Sequence, residues 1–129
     1  MGTDAGAGKE AKKRILVVDD HEDNVEVLRA RLESRGYDVE GVMGGQEALD
    51  AVARRVPDMI LLDAMMPRMS GLDVLRTLRE SGSETPILIV SAHREVEAVE
   101  QVEGLGANGC VGKPIDFDDL LKRIAALTT

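Results

Sequence analysis

Asp19 and Asp20 stand side by side early in the chain, Asp63 lies further on, and Ser91 and Lys113 follow later still. A carboxylate can attack a phosphoryl group and carry it as an aspartyl-phosphate. The charge on the transferring oxygens then has to be met by cations and donors fixed in place. Carboxylates can hold a hard dication for one oxygen, and Mg²⁺ is the usual choice where phosphate is handled. The Lys113 ammonium suits a second oxygen and the Ser91 hydroxyl a third. Each residue also has an ordinary reading. Asp20 and Ser91 can cap helices, Asp63 can open a turn ahead of Pro67 and Gly71, and Lys113 can be a solvated lysine before Pro114. Placement decides between the two.

The elements that must place them are legible from Arg14 onward. Ile15–Val18, Met59–Leu62 and Ile87–Val90 are unbroken apolar runs, as expected of strands buried on both faces of a parallel sheet. Asp38–Val42 alternates and Gly109–Gly112 is flanked by glycine, so both read as edge strands. Between them the spacing predicts helices over Asp23–Arg35, Gln46–Arg55, Leu72–Ser81, Glu95–Glu103 and Phe117–Leu127. Gly36 and Gly82 are the expected stops of the first and third, and Asp116 the expected N-cap of the last.

Five βα units of one sheet form an α/β domain. Right-handed crossovers bring every strand's carboxyl end to the same edge, where open α/β sheets bind ligands. Asp19 and Asp20 end the first strand, Asp63 the third and Lys113 the fifth, while Ser91 follows the fourth. All five therefore meet on one rim. Three carboxylates crowded there repel one another and are costly to desolvate without a partner. A bound dication relieves that cost.

Composition fits this reading. The chain has 129 residues, 43% apolar and 31% charged, enough for one domain with a real core. Its net charge of −8 argues against charge-driven nucleic-acid binding, and one Phe, one Tyr and no Trp leave little to stack on bases. The single Cys110 excludes an internal disulfide and a cysteine-based zinc site. No apolar run approaches a membrane span, and the Gly/Ala/Lys-rich start lacks a secretory signal, so the expected location is cytoplasmic. Residues 1–13 read as a flexible tail. Their Gly-Ala-Gly precedes the first strand, whereas a dinucleotide fingerprint follows one.

The stretches ILVVDD at 15–20, LLDAMMPRMSG at 61–71, ILIVSA at 87–92 and GKP at 112–114 together resemble the receiver domain of bacterial two-component response regulators. The resemblance covers residues 14–127 and marks 14–129 as a receiver, or phosphoacceptor, domain. It implies a doubly wound (βα)₅ flavodoxin-like fold with strand order 2-1-3-4-5. It also implies that Asp63 accepts a phosphoryl group from a sensor histidine kinase or phosphotransfer protein, as a signalling module rather than an enzyme. Asp20, Asp63 and the Met65 backbone carbonyl would bind Mg²⁺ directly, and Asp19 largely through water. Lys113 would pair with the phosphoryl group and precede a cis peptide to Pro114. Ser91 would move toward the phosphate, switching the surface of the fourth helix, fifth strand and fifth helix for a downstream protein target or for homodimerisation. Direct nucleic-acid binding and membrane association are not expected.

Two departures from the family pattern stand out. Cys110 occupies the place, three residues before the lysine, where relatives usually carry an aromatic that accompanies the Ser/Thr movement. The ordinary reading is a small buried thiol filling the fifth strand. Met65, two residues after Asp63, replaces a side chain that is often polar, so slow self-dephosphorylation is expected. His93 reads as a surface residue rather than a metal ligand, and Met66 and Met69 as supports of the loop after Asp63.

Three other classes compete. A phosphatase of the haloacid dehalogenase type would carry Asp-x-Asp on its first strand and a cap over its substrate. An FMN carrier would need aromatics to sandwich the flavin. A receiver-like module acting without phosphorylation would fit Cys110, although such modules tend to lose some of the acids or the lysine, and all are present here.

Overall fold

The structure is a computed structural model that describes residues 12–92 and 96–129. Strands β1 (Arg14–Val18), β2 (Asp38–Val42), β3 (Met59–Asp63), β4 (Ile87–Ser91) and β5 (Gly109–Gly112) alternate with helices α1 (Glu22–Glu33), α2 (Gly45–Arg54), α3 (Gly71–Glu80), α4 (Val96–Gly104) and α5 (Phe117–Leu127). The strands form one parallel sheet in the order β2-β1-β3-β4-β5, which is the expected 2-1-3-4-5. The two weak strands are its edges.

The apolar runs are unbroken because successive residues feed two cores. Ile15, Val17, Leu61 and Val90 face one way, onto Val25, Leu28 and Leu32 of α1 and Phe117, Leu120 and Ile124 of α5. Leu16, Val18, Ile60, Leu62 and Ile89 face the other way, onto Ala48 and Ala51 of α2, Val74, Leu75 and Leu78 of α3, and Val102 of α4. With nearly every side chain of the three central strands buried, a slip of one residue would exchange the two cores, so burial fixes their register.

The helix boundaries differ from expectation by a residue or two, for local reasons. Ser70 caps α3 in a capping box, accepting from the Asp73 N–H at 3.2 Å while its own N–H donates to Asp73 Oδ2 at 3.1 Å. That makes Gly71 rather than Leu72 the first helical residue. Arg55 is extended (φ −160°), which ends α2 at Arg54. Helix α1 stops at Glu33, and the chain turns through Gly36 at φ 91°. Gly82, at φ 94°, follows α3 in the same way. Asp116 caps α5 as expected, accepting from the Asp119 N–H at 3.1 Å. For α4, the expected first residue Glu95 lies outside the described residues.

Candidate phosphoryl and metal site

Asp63 is the last residue of β3, and Asp19 follows β1 on the neighbouring strand; they are 4% and 5% exposed. Asp20 comes next along the chain. It does not cap α1, whose N-cap is His21, so its carboxylate is left to the rim. Ligating atoms of Asp19, Asp20, His21 and Asp63 all lie within 4.8 Å of one another. From the far edge, Lys113 brings its ammonium to 3.5 Å from Asp63 Oδ1. Ser91 ends β4 buried, in register with Gly112, and its carbonyl accepts from the Lys113 N–H at 2.9 Å. The Lys113–Pro114 peptide is cis.

The loop from Asp63 to Ser70 is held close beneath the site. The Ala64 N–H donates to Val90 O at 2.9 Å, and the Gly71 N–H to Ala64 O at 3.0 Å. A Cβ on Gly71 would lie 2.1 Å from the Asp63 backbone oxygen. Glycine is therefore required by close approach of helix to strand end. Met66 and Met69 pack against the core beneath the loop, as expected, while the Met65 side chain is 70% exposed.

The electrostatics are those of a crowded anionic site. Burial is the main reason that Asp63 titrates above the ordinary carboxylate range, and the charge of Asp19 adds to it. Lys113 and the Met65 N–H, 3.4 Å from Oδ1, oppose the rise without cancelling it. Asp19 is well supplied with donors. Its Oδ1 accepts from the His21 N–H at 2.8 Å, and its Oδ2 from Asn24 Nδ2 at 3.2 Å. Asp20 is not so supplied. Its Oδ1 is buried and has no hydrogen-bond partner among the described residues, although the His21 ring nitrogen stands 3.2 Å away. A buried carboxylate oxygen without a donor, beside two further carboxylates and one ammonium, suits an oxygen-seeking dication.

The structure thus brings Asp19, Asp20, Asp63 and Lys113 together, with Ser91 on the adjacent strand end. The sequence reading missed His21 and Asn24. The first was signalled by adjacency to the acid pair, and the second by its place in the first turn of the helix that follows. His93 lies outside the described residues. Cys110 is half-buried, and its carbonyl accepts from Arg123 Nη1 at 3.2 Å.

This combination of a five-stranded doubly wound sheet, an acid cluster at its carboxyl edge and a lysine after β5 defines a class. Residues 15–125 match the family model of the response regulator receiver domain, and the chain belongs to that family, the receivers of two-component systems. It is 47% identical over 116 residues to the response regulator MprA of Mycobacterium sp. (strain KMS), covering 88% of this chain and 50% of that protein. The MprA of Mycobacterium leprae (strain TN) matches at the same identity and coverage. The chain spans about half the length of these curated relatives. Among solved structures, the Francisella response regulator 1452 receiver domain superposes with a TM-score of 0.88 at 29% identity, covering 91% of this chain and 97% of that one. The Vibrio cholerae chemotaxis protein CheY4 gives 0.85 at 29% identity, covering 91% and 99%. No helix among the described residues is long and apolar enough to cross a membrane.

Proposed function

We propose that residues 14–129 are a phosphorylation switch in which Asp63 is the phosphoacceptor, with residues 1–13 as a tail outside the domain. The observation that carries this reading is the Lys113 ammonium 3.5 Å from a buried Asp63 that stands among the acids of β1. An Asp63 oxygen attacks the phosphorus of a phosphohistidine on a histidine kinase or phosphotransfer protein. A P–O bond forms, the P–N bond breaks, and the imidazole leaves with a proton from solvent. Lys113 pairs with one phosphoryl oxygen and Ser91 donates to another, which is charge stabilisation by groups already in place. Asp20, Asp63 and the Met65 carbonyl would hold Mg²⁺, with Asp19 acting through water. Bound there, the ion supplies positive charge against a further phosphoryl oxygen.

The new contacts exist only in the phosphorylated state, so they bias a two-state equilibrium. The surface of α4, β5 and α5 is the proposed readout, toward a protein target or a second copy of the chain, in the cytoplasm and without direct nucleic-acid or membrane binding. The chain catalyses its own phosphotransfer and slow dephosphorylation but turns over no other substrate. Cys110 favours a second reading, a partner-binding receiver that needs no phosphorylation. Incubation with a radiolabelled, phosphorylated histidine kinase separates the two. Transfer of label in a hydroxylamine-labile linkage, absent in Asp63→Asn, is expected; label that never leaves the kinase supports the second reading.

A further inference from the structure

We infer that His21 is a direct ligand in the dication site, giving it a nitrogen donor and a preference for borderline ions such as Zn²⁺ beyond what its carboxylates supply. The inference rests on the reading of Asp20 and Asp63 as dication ligands, and it concerns a residue that this reading leaves unused.

The geometry is that of neighbouring ligands. His21 Nδ1 stands 3.2 Å from Oδ1 of Asp19 and 3.2 Å from Oδ1 of Asp20. Donors about 2.1 Å from a shared ion stand about 3.0 Å apart in an octahedral set and about 3.3 Å apart in a tetrahedral one. The ring nitrogen is therefore spaced from Asp20, the direct ligand beside it, as a neighbouring ligand would be. Its backbone holds it there, because the His21 N–H donates to Asp19 Oδ1 at 2.8 Å and His21 is the N-cap of α1.

The simpler account is a hydrogen bond from the imidazole to Asp19. That accounts for one contact and leaves the other, since Asp20 Oδ1 is buried and accepts no hydrogen bond among the described residues. An ion between Nδ1 and that oxygen satisfies both. The ring is otherwise exposed, 67% by side chain, so Nε2 stays in water and no donor is stranded on ligation.

The donor set decides the preference. Mg²⁺ takes oxygen ligands and gains little from an imidazole, whereas imidazole suits Zn²⁺ and its neighbours in the first transition row. Removing His21 should therefore weaken Zn²⁺ and spare Mg²⁺.

The test is calorimetric titration of the full chain with Mg²⁺ and with Zn²⁺ at a single pH. Wild type, His21→Asn and Asp20→Asn are compared. Long-range proton–nitrogen NMR follows the histidine ring nitrogens, the His21 signal being identified by its loss in His21→Asn. His21→Asn is expected to weaken Zn²⁺ about tenfold or more while holding Mg²⁺ within about twofold, and Zn²⁺ is expected to shift the Nδ1 signal of His21. A Zn²⁺ affinity unchanged in His21→Asn, or an unmoved His21 signal, overturns the inference. If Asp20→Asn also leaves Mg²⁺ binding intact, the underlying reading of the acid pair fails; if Mg²⁺ is lost there, only the role of His21 does.

Discussion

The Lys113 ammonium lies 3.5 Å from Asp63 Oδ1, although Asp63 ends β3, Lys113 follows β5, and β4 lies between those strands. Asp63 pairs in register with Val90, one residue before Ser91, and Ser91 pairs with Gly112, one residue before Lys113. The reach is thus set by two steps of parallel register, and the lysine is the cation facing the proposed nucleophile. Lys113→Met keeps most of the stem and removes the charge. Its expected effect is to slow phosphorylation by acetyl phosphate about a hundredfold or more, read as initial rates at saturating Mg²⁺. A rate within a few-fold of wild type would remove Lys113 from the chemistry.

Asp63 also makes a prediction about stability. Its folded-state pKa is raised by burial and by Asp19, so between the ordinary carboxylate range and that raised value the folded state binds the extra proton. Stability therefore falls as pH rises through that window and stays lower above it. Without metal, Asp63→Asn should melt higher than wild type at neutral pH, with the gap closing as pH falls below about 4, where the carboxyl is protonated folded or unfolded. Added Mg²⁺ should raise the melting temperature of wild type more than that of Asp63→Asn. Thermal denaturation across pH checks both statements. A wild type that melts higher than the variant at neutral pH without metal contradicts them.

Gly71 places the start of α3 against the backbone of Asp63, with no room for a Cβ. Gly71→Ala should cost about 1–3 kcal/mol in urea denaturation, because the obstructing atoms are backbone and cannot rotate away. It should also slow phosphorylation, since what moves is the strand end that carries the proposed acceptor. A stable, fully active Gly71→Ala protein would show that this approach is looser than the structure has it.

Met65, two residues after the proposed phosphoacceptor, offers no polar group from its largely exposed side chain. Met65→Asn should shorten the phosphoryl lifetime about tenfold by orienting an attacking water, measured as decay of the phosphorylated mass after removal of donor. An unchanged lifetime would place control of hydrolysis elsewhere.

Burial pushes the Cys110 thiol above its ordinary range; Arg123 pulls it back and Glu103 adds to the rise. Alkylation of the native protein should be slower than that of the denatured chain near neutrality. It should also keep accelerating with pH above about 8.5, where a free thiol begins to level off. Coincident pH profiles would mean that the thiol is exposed.

Much of this was legible in the residues. The three apolar runs marked the central strands because a parallel sheet covered on both faces buries every side chain, and the ends of those runs placed Asp19, Asp63 and Ser91 on one rim. What was not legible depends on contacts across the chain. In sequence Gly71 is only the last residue of the LLDAMMPRMSG stretch, and only the packing of α3 on Asp63 makes it obligatory. For Asp20 the sequence left helix capping as an alternative, and the fall of the N-cap on His21 removes it. Ser70 and Asp73, three residues apart, were a readable capping signal, and it accounts for α3 starting one residue earlier than its apolar spacing indicates.

The most direct measurement is the intact mass of the purified protein after incubation with acetyl phosphate, with and without Mg²⁺, for wild type and Asp63→Asn. The account predicts a gain of one phosphoryl group that requires Mg²⁺ and is absent from the variant. No gain under either condition, or an equal gain in Asp63→Asn, would contradict it.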